Sequence, residues 1–251
     1  MAGHSQFKNI MYRKGAQDKK RAKIFSKLSR EISIAAKQNG DNPDMNPRLR
    51  LAIRAAKNHS MPKTNIEKAL KHASKDDLSN YESLRYEGYG PGGVAIVIDT
   101  LTDNKNRTAS NVRSTFSKNG GNLGETGSVA FLFDHLGCIT YNTQAVDVDT
   151  LINDSIESGA LDFEILTDLC NIYCPSESLH EITKFLEEKF DEASEVQLVW
   201  KPKNIIPVEN KDIAKNLLKL LDSLENDADT QSITANFDID ESIMEELESD
   251  S

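Results

Sequence analysis

The chain has 251 residues, 38% of them hydrophobic and 28% charged, and a formal net charge of -10. That length predicts two or three domains rather than one core. No stretch approaches the roughly 18 consecutive apolar residues that a helical membrane span requires. The charge is divided along the chain. Residues 1–75 hold 18 Lys and Arg against 5 Asp and Glu, a net of +13, and the remainder holds 12 against 35, a net of -23. Such polarity predicts a basic module for a polyanion joined to acidic modules that avoid it. The basic opening lacks the apolar run of a signal peptide, so a cytoplasmic protein is expected. Three cysteines, Cys138, Cys170 and Cys174, give no disulfide framework, and the three-residue gap in "CNIYC" is not that of a redox or zinc pair.

Residues 1–20 mix Phe7 and Tyr12 with Lys8, Arg13 and Lys14 and show only a weak period. Residues 22–38 have helical periodicity. Ile24, Leu28, Ile32 and Ala35 form one face, and Lys20, Lys23, Lys27, Arg30 and Lys37 another, so an amphipathic helix with a cationic polar face is expected, stopped by Asn39 and Gly40. A second helix begins at the Asn46 cap with Pro47 in its first turn, carrying Leu49, Ala52, Ile53 and Ala56 inward and Arg50, Arg54 and Lys57 on another side. A third covers about 62–73, with Ser60 or Thr64 as its cap and Thr64 and Glu67 at capping-box spacing. "SKDDLSN" (74–80) marks a boundary.

Beyond it the period changes. "LRYEGYGPGGVAIVIDTL" reads as two strands around a Gly/Pro turn, "DNKNRTASNVRSTFSKNGG" as a helix, and "GSVAFLFD" as a strand. Residues 137–201 follow the order β-α-β-β-α-β of ferredoxin-like domains. "KDIAKNLLKLLDSLEN" is a helix, "SITANFDI" a final strand, and the remainder an acidic tail. The expected architecture is therefore α+β. A basic helical domain (1–78) precedes a discontinuous α/β domain (79–136 with 202–240), into which a ferredoxin-like domain (137–201) is inserted, and residues 241–251 close the chain. The tail "DIDESIMEELESDS" holds seven acids and no base, and is expected to fold back on the basic helices and weaken their binding.

"GYGPGG" matches a dinucleotide fingerprint only in letters, because a β-branched run and not a helix follows it. "GGNLGETG" lacks the Lys-Ser/Thr of a phosphate loop. The five histidines are scattered, and no His/Cys cluster has metal spacing. Asp99, Asp103, Glu125 and Asp134 are acids that could hold Mg²⁺ or move protons, but 40 acids make chance proximity the simpler reading. No catalytic residue, metal or cofactor is expected. The front-end cations remain, because Lys and Arg neutralise phosphates with little regard to sequence.

"MAGHS", "RKGAQDKKRAKIFSKLSREI", "NPRLRLAI", "MPKTNIEKAL", "YEGYGPGGVAIVIDTLTDNKNRT" and "GGNLGETGSVAFLF" closely resemble the YebC/PmpR family, which includes the mitochondrial translational activator of cytochrome c oxidase. The likeness runs from Met1 through the last strand, which also weighs against a cleaved leader. Gln6-Phe7 and Met11-Tyr12 depart from the Lys-Trp and Lys-His common in the family. The resemblance implies three domains and a DNA-binding transcriptional regulator, with ribosome-associated help in translating difficult sequences as the alternative. It implies nucleic-acid contacts at Arg13, Lys14, Lys19, Lys20, Arg21 and Lys23, and at Arg107. The helical pattern and the local charge add Lys8, Lys27, Arg30, Arg50 and Arg54. The expected partner is DNA, or ribosomal RNA and the ribosome in the alternative, with no membrane.

Overall fold

Gly40, Asn46 and Ser60 decide how the first three helices turn. The structure, a computed structural model, describes residues 17–73 and 80–249, with side chains from residue 21 onward, Glu248 apart. Helix α1 (Gln17–Asn39) ends where Gly40 takes φ +90° and its N–H reaches Ala36 O at 2.9 Å. Asn46 caps α2 (Pro47–Asn58) by accepting from the Leu49 N–H, and its amide donates to Ala35 O and Gly40 O, both at 2.8 Å. One wholly buried side chain thus joins the end of α1 to the start of α2. α3 (Lys63–His72) departs from expectation. Pro62 stands at its N-cap with no side-chain bond, so the capping box is not formed. Ser60 belongs to the preceding helix instead. It takes φ +56°, its N–H bonds Lys57 O, and the Met61 N–H bonds Ala56 O, the paired closure of a Schellman motif. Ile32, Ala35, Leu49, Ala52, Ala56, Ile66 and Ala69 fill the core, the alanines allowing close helix approach.

The chain divides into two compact units. One is built from Asn80–Asp134 and Pro202–Ser251, the other from Gln17–Ser79 and His135–Lys201. The second holds the three helices and a four-stranded sheet of order β5-β6-β4-β7. Its elements are β4 (Phe133–Asn142), α5 (Val148–Glu157), β5 (Asp162–Ile165), β6 (Leu169–Pro175), α6 (Leu179–Lys189) and β7 (Glu195–Pro202). That chain order and strand order are those of a ferredoxin-like domain. Ile139, Tyr141, Cys170, Ile172 and Cys174 meet Leu151, Ile182 and Leu186 of the two helices in one core. Burial pushes the Cys170 thiol up, and Cys174 up to about 11, Glu177 adding to the latter, so both are inert apolar fillers.

In the other unit, β1 (Glu82–Tyr89) and β2 (Ala95–Thr102) form an antiparallel hairpin closed by the Pro91–Gly93 turn. Gly92 has φ +77° there, a conformation an L side chain adopts only with strain. With β3 (Asn122–Leu123) and β9 (Thr230–Ala235) they make a sheet of order β3-β1-β2-β9. Helices α4 (Lys105–Lys118) and α7 (Lys211–Glu225) pack on it through Val112, Phe116, Leu217, Leu220, Leu221 and Leu224.

Three expectations need correction in this unit. "SITANFDI" is two strands, β9 and β10 (Phe237–Ile239), parted at Asn236. β9 pairs antiparallel with β2, whereas β10 pairs in parallel with β8 (Ile206–Val208). The buried Asn236 makes the change, accepting from the Ala95 N–H at 2.7 Å and donating to Asn204 O at 3.2 Å. "GSVAFLFD" is not a strand through its length; a loop and a tight turn (Ala130–Leu132) precede β4. The acidic tail is not an appendage either. Glu241–Ser249 form helix α8, whose Ile243, Met244 and Leu247 pack on this unit's core while Glu246 pairs with Lys211 at 3.1 Å.

Candidate nucleic-acid interface

The described cations of α1 are Arg21, Lys23, Lys27, Arg30 and Lys37. Arg21 is exposed, with its guanidinium carbon 5.5 Å from the centre of the Phe25 ring one turn on. That contact holds the charge against the helix surface and half-covers the ring. Lys23, Lys27 and Arg30 are half-buried along the next two turns. There the row stops. Residues 32–36 are buried all the way round, including Ile34, which lies one turn after Arg30 on the same stripe. Only the first half of the helix therefore offers the cationic face that periodicity suggested for its whole length.

The second helix divides its cations between work inside the fold and solvent. Arg48 grips Glu31 of α1 with two bonds, 2.6 and 2.9 Å long, and reaches Gln38 at 2.8 Å. A bidentate guanidinium–carboxylate pair of this kind is more directional than an ordinary surface ion pair. Arg50 touches only Asp44 O, at 3.4 Å, and Lys57 is exposed. Arg54 is placed otherwise than on a phosphate-facing side. Its guanidinium pairs with Glu187 on α6 and donates to Ala193 O at 2.8 Å, tying α2 to the inserted domain. Glu187 also accepts from the Ala193 N–H. The charge of Arg54 is thus answered inside the protein.

Arg107 is likewise engaged. It donates to Asp229 at 2.8 Å and to Asp103 at 2.9 Å, bonds that hold its own pKa above the ordinary value. Burial would raise the Asp229 carboxyl, but the bonds from Arg107, Thr108 and Thr102 outweigh it, and the pKa lies below its usual value. Lys8, Arg13 and Lys14 lie outside the described residues. Lys19 and Lys20 fall within α1, but their side chains are outside the described set. Arg21, Lys23, Lys27 and Arg30 thus follow one another along the first half of α1, with Arg50 and Lys57 on the neighbouring helix.

Three of the four acids weighed for catalysis are separately committed. Asp99 takes bonds from Arg85 and Ser232, Asp103 pairs with Arg107, and Asp134 with Lys203. Among the described residues no group of three or more His, Cys, Asp or Glu could hold a metal ion, and no helix is long and apolar enough to cross a membrane.

Sequence reasoning missed Glu87. It is 2% exposed, and its carboxylate accepts from the N–H groups of Gly127, Val129 and Ala130 at 2.8–2.9 Å. Burial acts to raise its pKa, but the three backbone donors prevail and the net shift is downward. This carboxylate, not a neighbouring strand, satisfies the backbone donors of the "GETGSVA" segment, which explains why the expected strand there does not form. A lone acid inside a strand pattern was the available signal.

A three-helix domain with a row of cations along the first half of α1 precedes an α/β region built on two four-stranded sheets. The chain belongs to the TACO1/YebC family. The model of that family's N-terminal domain matches residues 5–76, and the model of its second and third domains, described as those of a transcriptional regulator, matches residues 81–237. The chain is also similar, at 42% identity, to a conserved hypothetical protein from Aquifex aeolicus known from its crystal structure. The match covers 89% of this chain and 93% of that one, with a TM-score of 0.80. The resemblance read from the sequence blocks thus holds for family and for fold class.

Proposed function

We propose that this chain is a non-enzymatic regulator of transcription in the cytoplasm that grips the DNA backbone through its N-terminal helical domain, with no metal or cofactor. The observation that carries the reading is the row Arg21, Lys23, Lys27 and Arg30 on the first half of α1, in a segment of net charge +13. Cations in such a row neutralise phosphates and release counterions, and if about six phosphates are engaged, affinity falls about a thousandfold between roughly 50 and 200 mM salt. The reading is tested by fluorescence anisotropy with duplex DNA across that salt range. Replacing Arg21, Lys23, Lys27 and Arg30 by glutamine, with the circular dichroism unchanged, is expected to weaken binding and flatten its salt dependence. A folded variant that binds as tightly as the parent would end the proposal.

A ribosome-associated RNA-binding translation factor is the second reading, supported by the fact that this row addresses phosphate, which both polymers share. Sedimentation of lysate separates the two. Comigration with ribosomal subunits that survives DNase and is lost in the glutamine variant selects RNA.

A further inference from the structure

The sheet of the inserted domain ends at β5. Among the described residues, β5 has β6 on one side and no strand on the other. Leu161, Phe163 and Ile165 alternate along it and are 62%, 42% and 55% exposed; Ile156, in the last turn of α5, is 58% exposed. With Leu169, five of the ten large hydrophobic side chains left exposed among the described residues fall within residues 156–169. The stripe continues the domain core outward, since across the ladder Phe163 faces Ile172 and Ile165 faces Cys170, both wholly buried. The intervening Asp162 and Glu164 are held by Lys201 and Tyr173.

Exposed edges are ordinarily guarded by lysine, proline or a covering segment. Here residues 145–170 contain no Lys, Arg or Pro, and seven carboxylates: Asp147, Asp149, Asp154, Glu157, Asp162, Glu164 and Asp168. The surface is thus an apolar strand edge set in negative charge. We propose that it docks an extended segment of a partner protein in which apolar residues alternate with Lys or Arg. The segment adds a strand beside β5. Its apolar side chains cover Leu161, Phe163 and Ile165, and its cations answer acids such as Glu157 and Asp168. A second copy of this chain is a poor occupant, because residues 145–170 hold seven acids and no Lys or Arg, and among the described residues only Asp154 and Asp162 of those acids pair with a lysine. Nucleic acid is repelled for the same reason, so this surface is independent of the cation row on α1.

The test uses the full chain and a fluorescent peptide alternating valine with lysine, compared with one alternating valine with glutamate. Binding by anisotropy is expected for the lysine peptide, with slowed amide exchange confined to residues 161–169. Glu157→Lys/Asp168→Lys, which leaves the strand intact, and Phe163→Ser/Ile165→Thr are each expected to weaken it by about tenfold, the usual loss of a docking anchor. Equal affinity for both peptides, no binding, protection elsewhere, or affinity unchanged in both variants would overturn the proposal. So would self-association in sedimentation equilibrium that Ile165→Thr abolishes, which would assign the edge to a second copy.

Discussion

Glu87 and Ser60 bear on stability in opposite directions. Glu87 carries a lowered pKa, so the charged form favours the folded state. The stability it contributes is complete above the carboxyl's unfolded pKa and is lost as pH falls through the lower folded one. Glu87→Gln is therefore expected to cost about 2 kcal/mol near neutral pH, the order of charge-assisted bonds lost, and progressively less below about pH 4. Urea denaturation of both proteins at several pH values checks this; a pH-independent difference would contradict it. Ser60 sits at φ +56°, where a side chain costs about 1 kcal/mol relative to glycine. Ser60→Gly is expected to raise stability by about that amount, because the closure of α2 is kept and the strain is removed. A fall in melting temperature would show that the Ser60 side chain does something the backbone geometry does not reveal.

At the scale of elements, α8 shows how charge can mask a helix. Its acids suggested a tail that folds back on the basic helices, yet Ile243, Met244 and Leu247 recur at helical spacing and pack on the core beside α7. Removing residues 241–251 is consequently expected to destabilise the unit by a few kcal/mol, since each of these three partly buried side chains contributes less than the about 1.5–3 of a fully buried one, rather than simply to tighten nucleic-acid binding. Chemical denaturation decides the stability question, and anisotropy at a temperature where the truncated chain stays folded decides the binding one. α1 teaches the converse. Its period is unbroken through 22–38, but burial of residues 32–36 on every side halves the usable cationic face. On the proposed reading Lys37, beyond that buried collar, is expected to matter little, and Lys37→Gln should leave DNA affinity within about twofold, whereas Lys27→Gln, which removes a cation of the proposed row, should lower it and reduce the salt slope by about one.

At the scale of the whole molecule, the +13 segment and the -23 remainder were visible before any coordinates, as were the three opening helices and the β-α-β-β-α-β order. Periodicity, caps and charge are local properties, and local sequence determines them. The Asn46 cap, the Gly40 stop and the Pro91–Gly93 turn were all legible for that reason. Tertiary structure alone decided where those charges are used. Arg54 reads as a surface cation, but its partner Glu187 stands 133 residues away, and Arg107, exposed and within reach of the nearby Asp103, also meets Asp229 across 122 residues, beyond any sequence window. The same holds for Glu87, whose three donors lie 40–43 residues on, and for Asn236, which meets Ala95 across 141. Whether a charged side chain faces a phosphate or a carboxylate depends on which distant segment folding brings beside it, and that is settled only when the chain has closed on itself.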